Sequence, residues 1–352
     1  MKSTLKCWLV VTVSLLIGNH LRLDAAESSV ALTNIVFGSC LNKVEHPMLD
    51  RTLEVPMDLF IFMGDNIYGD TTNMTVMRAK YDALKNSRFF QGLKKKAPFV
   101  ATWDDHDYGV NDGGANFAFK KESQEEFYNW LDEPQDSPRR KQEGVYSSHI
   151  YGPEGKRVQV ILLDTRYFRS QLTRGNHGME PSGGPYMPSP FKSTTMLGDT
   201  QWVWLAEELK KPAEVRLMIS SIQFVPEFCG CEAWANLPHE KERMLALIQE
   251  TKANGIVFLS GDRHWCELSR MDGPTGYPLY ELTASAMTQV HPRGTPTPNV
   301  NRLIPKTYHE ANVGQLSIDW GKKDTELHLK IIDVRGEVQI EKKIKVSELQ
   351  GK

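Results

Sequence analysis

An aspartate and a tyrosine lie just after a short apolar run, and this arrangement constrains the fold more than any other feature. Leu59–Met63 is continuously apolar, as expected of a buried strand, and Gly64 then precedes Asp65 and Tyr68. In α/β proteins, ligands bind in the crevice outside the carboxyl ends of the strands. A carboxylate beside a phenolate suits a hard trivalent metal, usually iron. The sequence therefore predicts a metal site at the end of a strand.

Apolar runs of the same kind recur and alternate with helical patterns. The predicted strands are Asn34–Phe37, Leu59–Met63, Phe99–Trp103, Val158–Leu163, Val215–Ser220 and Ile256–Ser260. The predicted helices are Met74–Leu93, Asn116–Leu131, Asp199–Leu209 and Lys241–Lys252. Such alternation predicts an α/β core.

The C-terminal part changes character, because its predicted strands have no helices between them. These strands are Tyr280–Ala284, Gln315–Trp320, Glu326–Val334 and Glu337–Val346. Arg335-Gly336 is typical of a hairpin turn between the last two. Together, the two parts of the chain predict a four-layer αββα sandwich, in which a pair of mixed sheets is flanked by helices.

Two segments rich in glycine or proline interrupt this pattern. Thr173–Ser193 and Pro292–Pro305 contain too many of these residues for a regular element. Long loops of this kind in compact domains are typically functional. We therefore expect both segments to form the rim of the active site.

The charge balance narrows the class of partner. The chain of 352 residues has a formal net charge of −2. No basic field favours binding to nucleic acid or to an anionic membrane. We expect a substrate that is held locally, by metal ions or by single arginines. The sequence leaves the oligomeric state open.

Residues 1–26 have the pattern of a secretory signal peptide, and residues 27–352 are predicted to form a single domain. The apolar run Cys7–Gly18 is too short to span a bilayer comfortably, and Ala25-Ala26 offers a cleavage end. An uncleaved anchor is the alternative. The segment has no twin-arginine pair, so general secretion, to the periplasm or outside the cell, is the simpler route.

Removal of the signal leaves four cysteines, which are too few for a disulfide scaffold. They are Cys40, Cys229, Cys231 and Cys266. Cys229 and Cys231 have three alternatives, which are a small strained ring, the reduced state, and a pairing with Cys266. The sequence does not decide among them.

Nearly every predicted strand of the first part ends in a residue that can bind a metal. Any one of them alone is more typical of a buried or capping group, but their recurrence at five strand ends favours ligation. Cys40, Tyr68 and His264 supply thiolate, phenolate and imidazole, which suit a redox-capable metal such as Fe(III).

A second set of strand-end residues supplies oxygen atoms alone. Asp105, Asp262 and a side-chain or backbone oxygen of Gln223 suit Ca²⁺ or Mg²⁺ rather than zinc. Asp65 is the natural bridge between the two sets. Two metals about 3.5–4 Å apart activate water and hold an in-line displacement.

The motifs resemble those of a known family. Gly64-Asp65-Asn66-Ile67-Tyr68 resembles the G-D-x-x-Y motif of purple acid phosphatases. The whole set resembles the alkaline phosphatase D (PhoD-like) family of metallophosphoesterases over roughly residues 34–290. It comprises Phe37-Gly-Ser-Cys40, Gly64-Asp-Asn-Ile-Tyr68, Thr102-Trp-Asp-Asp-His-Asp107, Leu163-Asp-Thr-Arg166, Ser220-Ser-Ile-Gln223 and Ser260-Gly-Asp-Arg-His264.

The resemblance implies an αββα fold with a binuclear Fe(III)–Ca²⁺ centre. Cys40 and His264 lie on the iron side, and Asp105, Gln223 and Asp262 on the calcium side. Two departures bear on function. Family members are often exported folded through the twin-arginine route, whose signal is missing here, so the metal pair is open. The chain is also compact for the family, which leaves the substrate open.

The implied activity is that of a secreted phosphoric ester hydrolase that uses a metal-activated hydroxide. His106 is predicted to give a proton to the leaving alcohol. Arg166 and Arg263 are predicted to bind phosphoryl oxygens by bidentate hydrogen bonds. For Arg166 the alternative is an ion pair with Asp164 or another carboxylate. We expect Asp104 and Asp107 to orient the ligands.

A different class of function stays open from the sequence. A catalytically silent metal- or phosphate-binding module on the same fold is the alternative, since fold does not fix function. The intact ligand set favours the enzyme. The types of ligand do not separate monoester from diester hydrolysis.

Overall fold

The computed structural model describes residues 29–175, 184–273, 275–291 and 297–351. Its strands are β1 (Asn34–Gly38), β2 (Leu59–Met63), β3 (Phe99–Thr102), β4 (Ser147–Tyr151), β5 (Val158–Leu162), β6 (Val215–Ser220), β7 (Ile256–Ser260), β8 (Glu267–Met271), β9 (Leu279–Thr283), β10 (Asn312–Asp319), β11 (Glu326–Asp333) and β12 (Val338–Lys345). Its α-helices are α1 (Pro47–Glu54), α2 (Met74–Lys85), α3 (Arg88–Lys96), α4 (Asp105–Tyr108), α5 (Lys120–Trp130), α6 (Pro138–Lys141), α7 (Gly198–Lys210) and α8 (Pro238–Thr251). Short 3₁₀ helices occur at Trp234–Asn236 and Val346–Leu349.

The described strands form two six-stranded mixed sheets. The first has the order β12-β11-β10-β1-β2-β3, with β1, β2 and β3 parallel and the C-terminal strands antiparallel. The second has the order β4-β5-β6-β7-β9-β8, with antiparallel strands at its two edges. The last hairpin turns at Arg335-Gly336, as predicted, where Gly336 has φ +84°.

Alternating side chains explain how the layers stack. On β2, Leu59, Ile61 and Met63 belong to a core that includes strands of both sheets together with α7 and α8. Phe60 and Phe62 point to the other face and pack with α1, α2 and α3. Successive side chains of a strand point to opposite faces, so one sheet packs on its partner and on helices at once. The predicted four-layer αββα architecture is confirmed.

Some elements differ from the sequence prediction. The predicted helix Met74–Leu93 is two helices, α2 and α3, because Ser87 between them is extended (φ −66°, ψ 152°) and its Oγ caps Phe90 N at 3.1 Å. The prediction missed α1 and the edge strands β4 and β8, which are only five residues long.

The predicted signal segment, residues 1–26, lies outside the described residues. Of the helices that the structure describes, none is long and apolar enough to cross a membrane. The prediction of a signal peptide therefore stays a prediction.

Candidate metal centre

The site lies where the carboxyl ends of strands from both sheets meet. Thr102 Oγ1, at the end of β3, donates to Leu163 O, just after β5, at 2.8 Å and ties the two sheets together there. Four of the predicted ligands have a left-handed backbone, with φ of 57° at Cys40, 51° at Asp65, 64° at Asp262 and 59° at His264. This conformation is costly for residues other than glycine, and such residues cluster at functional sites.

Two glycines allow the strand-end loops to approach one another closely. A Cβ added to Gly64, which has φ +109°, would lie 2.6 Å from Asp104 Cβ. A Cβ on Gly261 would lie 2.4 Å from Ser39 Oγ, in the loop after β1. The first contact brings the loops after β2 and β3 together, and the second those after β1 and β7.

Cys40, Asp65 and His264 form the first group of donors, in which one donor atom of each lies within 4.8 Å of the others. Cys40 Sγ is 3.5 Å from Asp65 Oδ2. Tyr68 Oη joins the group, 3.1 Å from His264 Nε2 and 3.4 Å from Asp65 Oδ2. Ser285 supports it, because its Oγ lies 3.1 Å from Cys40 Sγ and accepts from His264 N at 2.8 Å.

Asp104, Asp105 and Asp262 form the second group, in which donor oxygens also lie within 4.8 Å of one another. Asp65, Asp105 and His106 form a third such group, so Asp65 and Asp105 connect the two halves. Sulfur, nitrogen and phenol oxygen are concentrated on one side and carboxylates on the other. This division fits one transition metal and one hard divalent cation.

His106 is held from several directions. Its backbone N donates to Asp105 Oδ1 at 2.9 Å and to Asp65 Oδ1 at 3.3 Å. Its ring is stacked on Tyr68, with centroids 4.1 Å apart, and its Nδ1 lies 2.7 Å from Asp70 Oδ1. Because Asp70 takes Nδ1, Nε2 is the ring nitrogen left for a ligand or substrate.

Asp107 connects the loops after β2 and β3. Its carboxylate accepts from Asp65 N at 3.3 Å, Asn66 N at 3.2 Å and Asp104 N at 2.6 Å. It thereby fixes the backbone of Asp65 and Asp104, as expected of a residue that orients ligands.

The electrostatics of the site are those of crowded negative charge. Burial and then the charge of Asp105 raise the pKa of Asp65 well above its usual range. Burial also raises the pKa of Asp262 and that of the Cys40 thiol, the latter to about 12. Burial and the nearby His106 lower the pKa of His264 to about 4, so its imidazole is neutral and able to bind a metal. Buried carboxylates need cations, and the donors therefore fit metal ions.

The surroundings of Arg166 favour the ion-pair alternative over the predicted contact with substrate. Its side chain is 0% exposed. Its Nε donates to Asp104 Oδ1 at 2.6 Å, and its Nη1 lies 2.6 Å from Glu232 Oε2. The ion-pair alternative therefore describes Arg166, although its partners are Asp104 and Glu232 rather than the side chain of Asp164. Contact of Arg166 with a substrate phosphate stays a prediction.

Gln223 and Arg263 lie at the strand ends where they were predicted. Gln223 Nε2 donates to Glu267 Oε1 at 2.6 Å and to Thr283 Oγ1 at 2.9 Å, and its backbone O accepts from Trp234 N at 3.0 Å. Arg263 Nη1 is 3.6 Å from Asp262 Oδ2, and its guanidinium lies over the Trp265 ring, 4.5 Å from the centroid.

The predicted rim loops are described only in part, because residues 176–183 and 292–296 lie outside the described ranges. The described part of the first loop reaches the site, since Tyr186 Oη donates to Asp112 Oδ2 at 2.5 Å. The four cysteines among the described residues are free thiols. Of the three alternatives for Cys229 and Cys231, the structure therefore shows the reduced state.

Several residues of the site were missed from the sequence. Ser285 follows β9, so the rule used for the other strand ends would have found it. Asp70 and Asp112 carry a weaker signal, because Asp70 follows the predicted ligand Asp65 by five positions and Asp112 follows Asp105 by seven. Glu232 has no local signal, since its partners are distant in sequence.

Known proteins resemble the chain in sequence and in fold. It is 24% identical to alkaline phosphatase D of Bacillus subtilis (strain 168) in an alignment of 290 residues that covers 70% of this chain and 48% of that protein. The chain thus spans about half the length of this curated relative. The solved structure of PhoD has a TM-score of 0.68 at 17% identity, covering 90% of this chain and 69% of that one.

Other structures share the fold at lower similarity. A dimetal phosphatase from Danio rerio has a TM-score of 0.52 at 12% identity, over 90% of this chain and 100% of that one. GAP50, the anchor in the inner membrane complex of Plasmodium, has a TM-score of 0.54 at 13% identity, over 90% and 89%. A sequence model of PhoD-like phosphatases matches residues 38–346, almost the whole described chain with its strand-end donors. The chain therefore belongs to the PhoD-like phosphatase family.

Proposed function

We propose that the protein is a metal-dependent phosphoric ester hydrolase. The observation that carries this proposal is a pair of adjoining donor groups, one mixed in sulfur, nitrogen and oxygen and one of carboxylates, which Asp65 and Asp105 connect. Membership of the PhoD-like phosphatase family supports the same reaction class.

We assign Fe(III) to Cys40, Tyr68 and His264, and Ca²⁺ to Asp105, Asp262 and Gln223, with Asp65 between them. Gln223 would bind through Oε1, because its amide nitrogen and its backbone oxygen have other partners. Bound metals would lower the pKa of water and offset charge on the phosphoryl oxygens. Other divalent cations are alternatives at the second position.

Protein side chains would handle the leaving group. His106 lies beside both donor groups, and Asp70 and Tyr68 fix its ring, so Nε2 can give a proton to the departing oxygen. Arg166 would act by holding Asp104 in place. Arg263, which lies beside Asp262, is the arginine that we assign to the phosphate.

We also propose an export route, a domain organisation and a substrate class for the protein. We propose that residues 1–26 direct the chain through general secretion, that residues 27–352 act as a single domain, and that the substrate is a phosphate ester held at the metals. The formal net charge of −2 supports local binding rather than a nucleic-acid surface.

The second candidate is a silent metal- or phosphate-binding module. Its support is the fold that the chain shares with GAP50, the anchor in the inner membrane complex of Plasmodium. A silent module predicts at least one damaged donor, whereas every predicted donor residue is intact in the sequence. We therefore favour the enzyme.

Hydrolysis of p-nitrophenyl phosphate and of bis-p-nitrophenyl phosphate by iron- and calcium-loaded protein tests the proposal. The Asp65→Asn variant should lose essentially all turnover. Asp272→Asn, which changes an aspartate that is 70% exposed, is the matched control and should keep it. The ratio of the two rates separates monoesterase from diesterase. Absence of turnover on both esters with both metals bound would favour the binding module.

A further inference from the structure

A tyrosine of the first rim loop reaches the acidic half of the site through one intervening residue. Tyr186 is only 4% exposed, and its Oη donates to Asp112 Oδ2 at 2.5 Å. The backbone N of Asp112 in turn donates to Asp105 Oδ2 at 2.7 Å. A side chain of the rim is thus connected to a carboxylate that we assign to the second cation.

The conformation of Asp112 makes this connection sensitive. Asp112 has φ +56°, a left-handed backbone that is uncommon for residues other than glycine. Arg169 Nη2 donates to Asp112 O at 2.7 Å, and the Tyr186 hydroxyl holds the side chain. These two contacts aim the Asp112 N–H at Asp105.

Backbone hydrogen bonds of the rim hold Tyr186 in place. Arg174 and Tyr186 form an antiparallel bridge, flanked by hydrogen bonds from Gly175 N to Pro185 O and from Met187 N to Thr173 O, each 3.0 Å. Residues 173–175 and 185–187, which we call the rim pair, therefore form a short two-stranded element. Displacement of the rim pair would move the phenol away from Asp112.

Three carboxylates around Asp112 lie close together but are not a further cation site. Asp105, Asp112 and Glu232 have donor oxygens within 4.8 Å of one another. Glu232, however, is paired with Arg166 at 2.6 Å and with Arg169 at 2.7 Å, and Asp112 accepts from Tyr186. These charges already have partners, so the cluster serves to position Asp105.

We propose that Tyr186 is a positioning residue that couples the rim pair to the second cation through Asp112 and Asp105. This inference rests on the proposed function, because it needs a cation at Asp105. Since coupling between two sites is reciprocal, a cation at Asp105 stabilises the rim pair, and an intact rim pair strengthens cation binding. Loss of a hydrogen bond that orients a ligand typically weakens metal affinity 10- to 100-fold.

Calcium titration by calorimetry of iron-loaded wild type, Tyr186→Phe and Tyr277→Phe tests the coupling. Tyr277 is the matched control, because it is 5% exposed and its hydroxyl donates to Ala253 O at 2.5 Å, distant from the site. We expect Tyr186→Phe to weaken calcium binding about 10-fold and Tyr277→Phe to leave it unchanged. Equal affinity in the wild type and Tyr186→Phe would overturn the inference.

Limited proteolysis supplies a readout that needs no variant. Arg174 is exposed and belongs to the rim pair, so trypsin cleavage after Arg174 reports opening of the pair. Calcium should slow this cleavage several-fold in the wild type, and an unchanged rate would contradict the coupling. If the wild type hydrolyses p-nitrophenyl phosphate but shows no coupling, only this inference is refuted. If the wild type neither binds calcium nor hydrolyses the ester, the proposed function is refuted as well.

Discussion

Replacement of Arg166 separates a role in holding the site together from direct contact with a phosphate. The guanidinium is 0% exposed and contacts Asp104 Oδ1 through Nε at 2.6 Å and through Nη2 at 2.5 Å. Its Nη1 lies 2.6 Å from Glu232 Oε2. Arg166→Met therefore leaves buried carboxylates without their shared cation.

The expected cost follows from burial. In the variant, Glu232 still pairs with Arg169, and Asp104 still accepts a hydrogen bond from Ser221. The substitution therefore removes only part of the network. Removal of one member of a buried ion pair typically costs about 3–5 kcal/mol. We expect Arg166→Met to lower the free energy of unfolding by roughly that amount. Arg166→Lys, which keeps the charge but not the fork, should lie between Arg166→Met and the wild type.

Urea unfolding of the metal-loaded protein measures this effect. Arg157→Met is the matched control, since Arg157 pairs with Glu214 at 2.7 Å but both side chains are about a quarter exposed, at 23% and 25%. A pair of this kind contributes about 0–1 kcal/mol. If Arg166→Met were as stable as Arg157→Met to within about 1 kcal/mol while kcat fell sharply, our assignment would be refuted and Arg166 would be a substrate residue.

Three further predictions concern other parts of the molecule. Cys40→Ser should lower the iron content of the purified protein, measured by elemental analysis, and shift any visible charge-transfer band; unchanged metal and spectrum would make Cys40 a packing residue. Gly64→Ala should cost roughly 3 kcal/mol in thermal unfolding, because φ is +109° and the new Cβ would lie 2.6 Å from Asp104 Cβ; an unaltered Tm would contradict this. Burial lowers the pKa of His149 from 6.5 to about 4, so its unfolded form gains a proton first as the pH falls. Stability that His149 contributes at neutral pH is therefore lost between about pH 6.5 and pH 4, and the loss is at most ~2 kcal/mol because the ring is partly exposed. Urea unfolding of His149→Gln should lack this pH-dependent loss of stability. Equal pH dependence of the wild type and the variant would disprove the prediction.

Local sequence was sufficient for the parts of the protein that depend on neighbouring residues. Apolar runs such as Leu59–Met63 predicted strands, because burial on both faces requires continuous apolar side chains. The prediction of Asp65, Tyr68, Asp262 and His264 as donors rested on their position within five residues after such a run. The helix boundary at Ser87 is also encoded locally, because Ser87 is a capping residue. The helical apolar pattern continues across it, so the sequence prediction joined the two helices.

Tertiary structure alone decided the partners that join distant segments. Arg166 is 62 positions from Asp104 and 66 from Glu232, and no local pattern distinguishes an arginine that binds a carboxylate from one that binds a phosphate. Tyr186 is 74 positions from Asp112. Periodicity and motifs fix the strand ends and the residues that they present, because these depend on chain direction and burial. The geometry between loops depends on how two sheets and their helices pack, and it becomes visible only when the chain is folded.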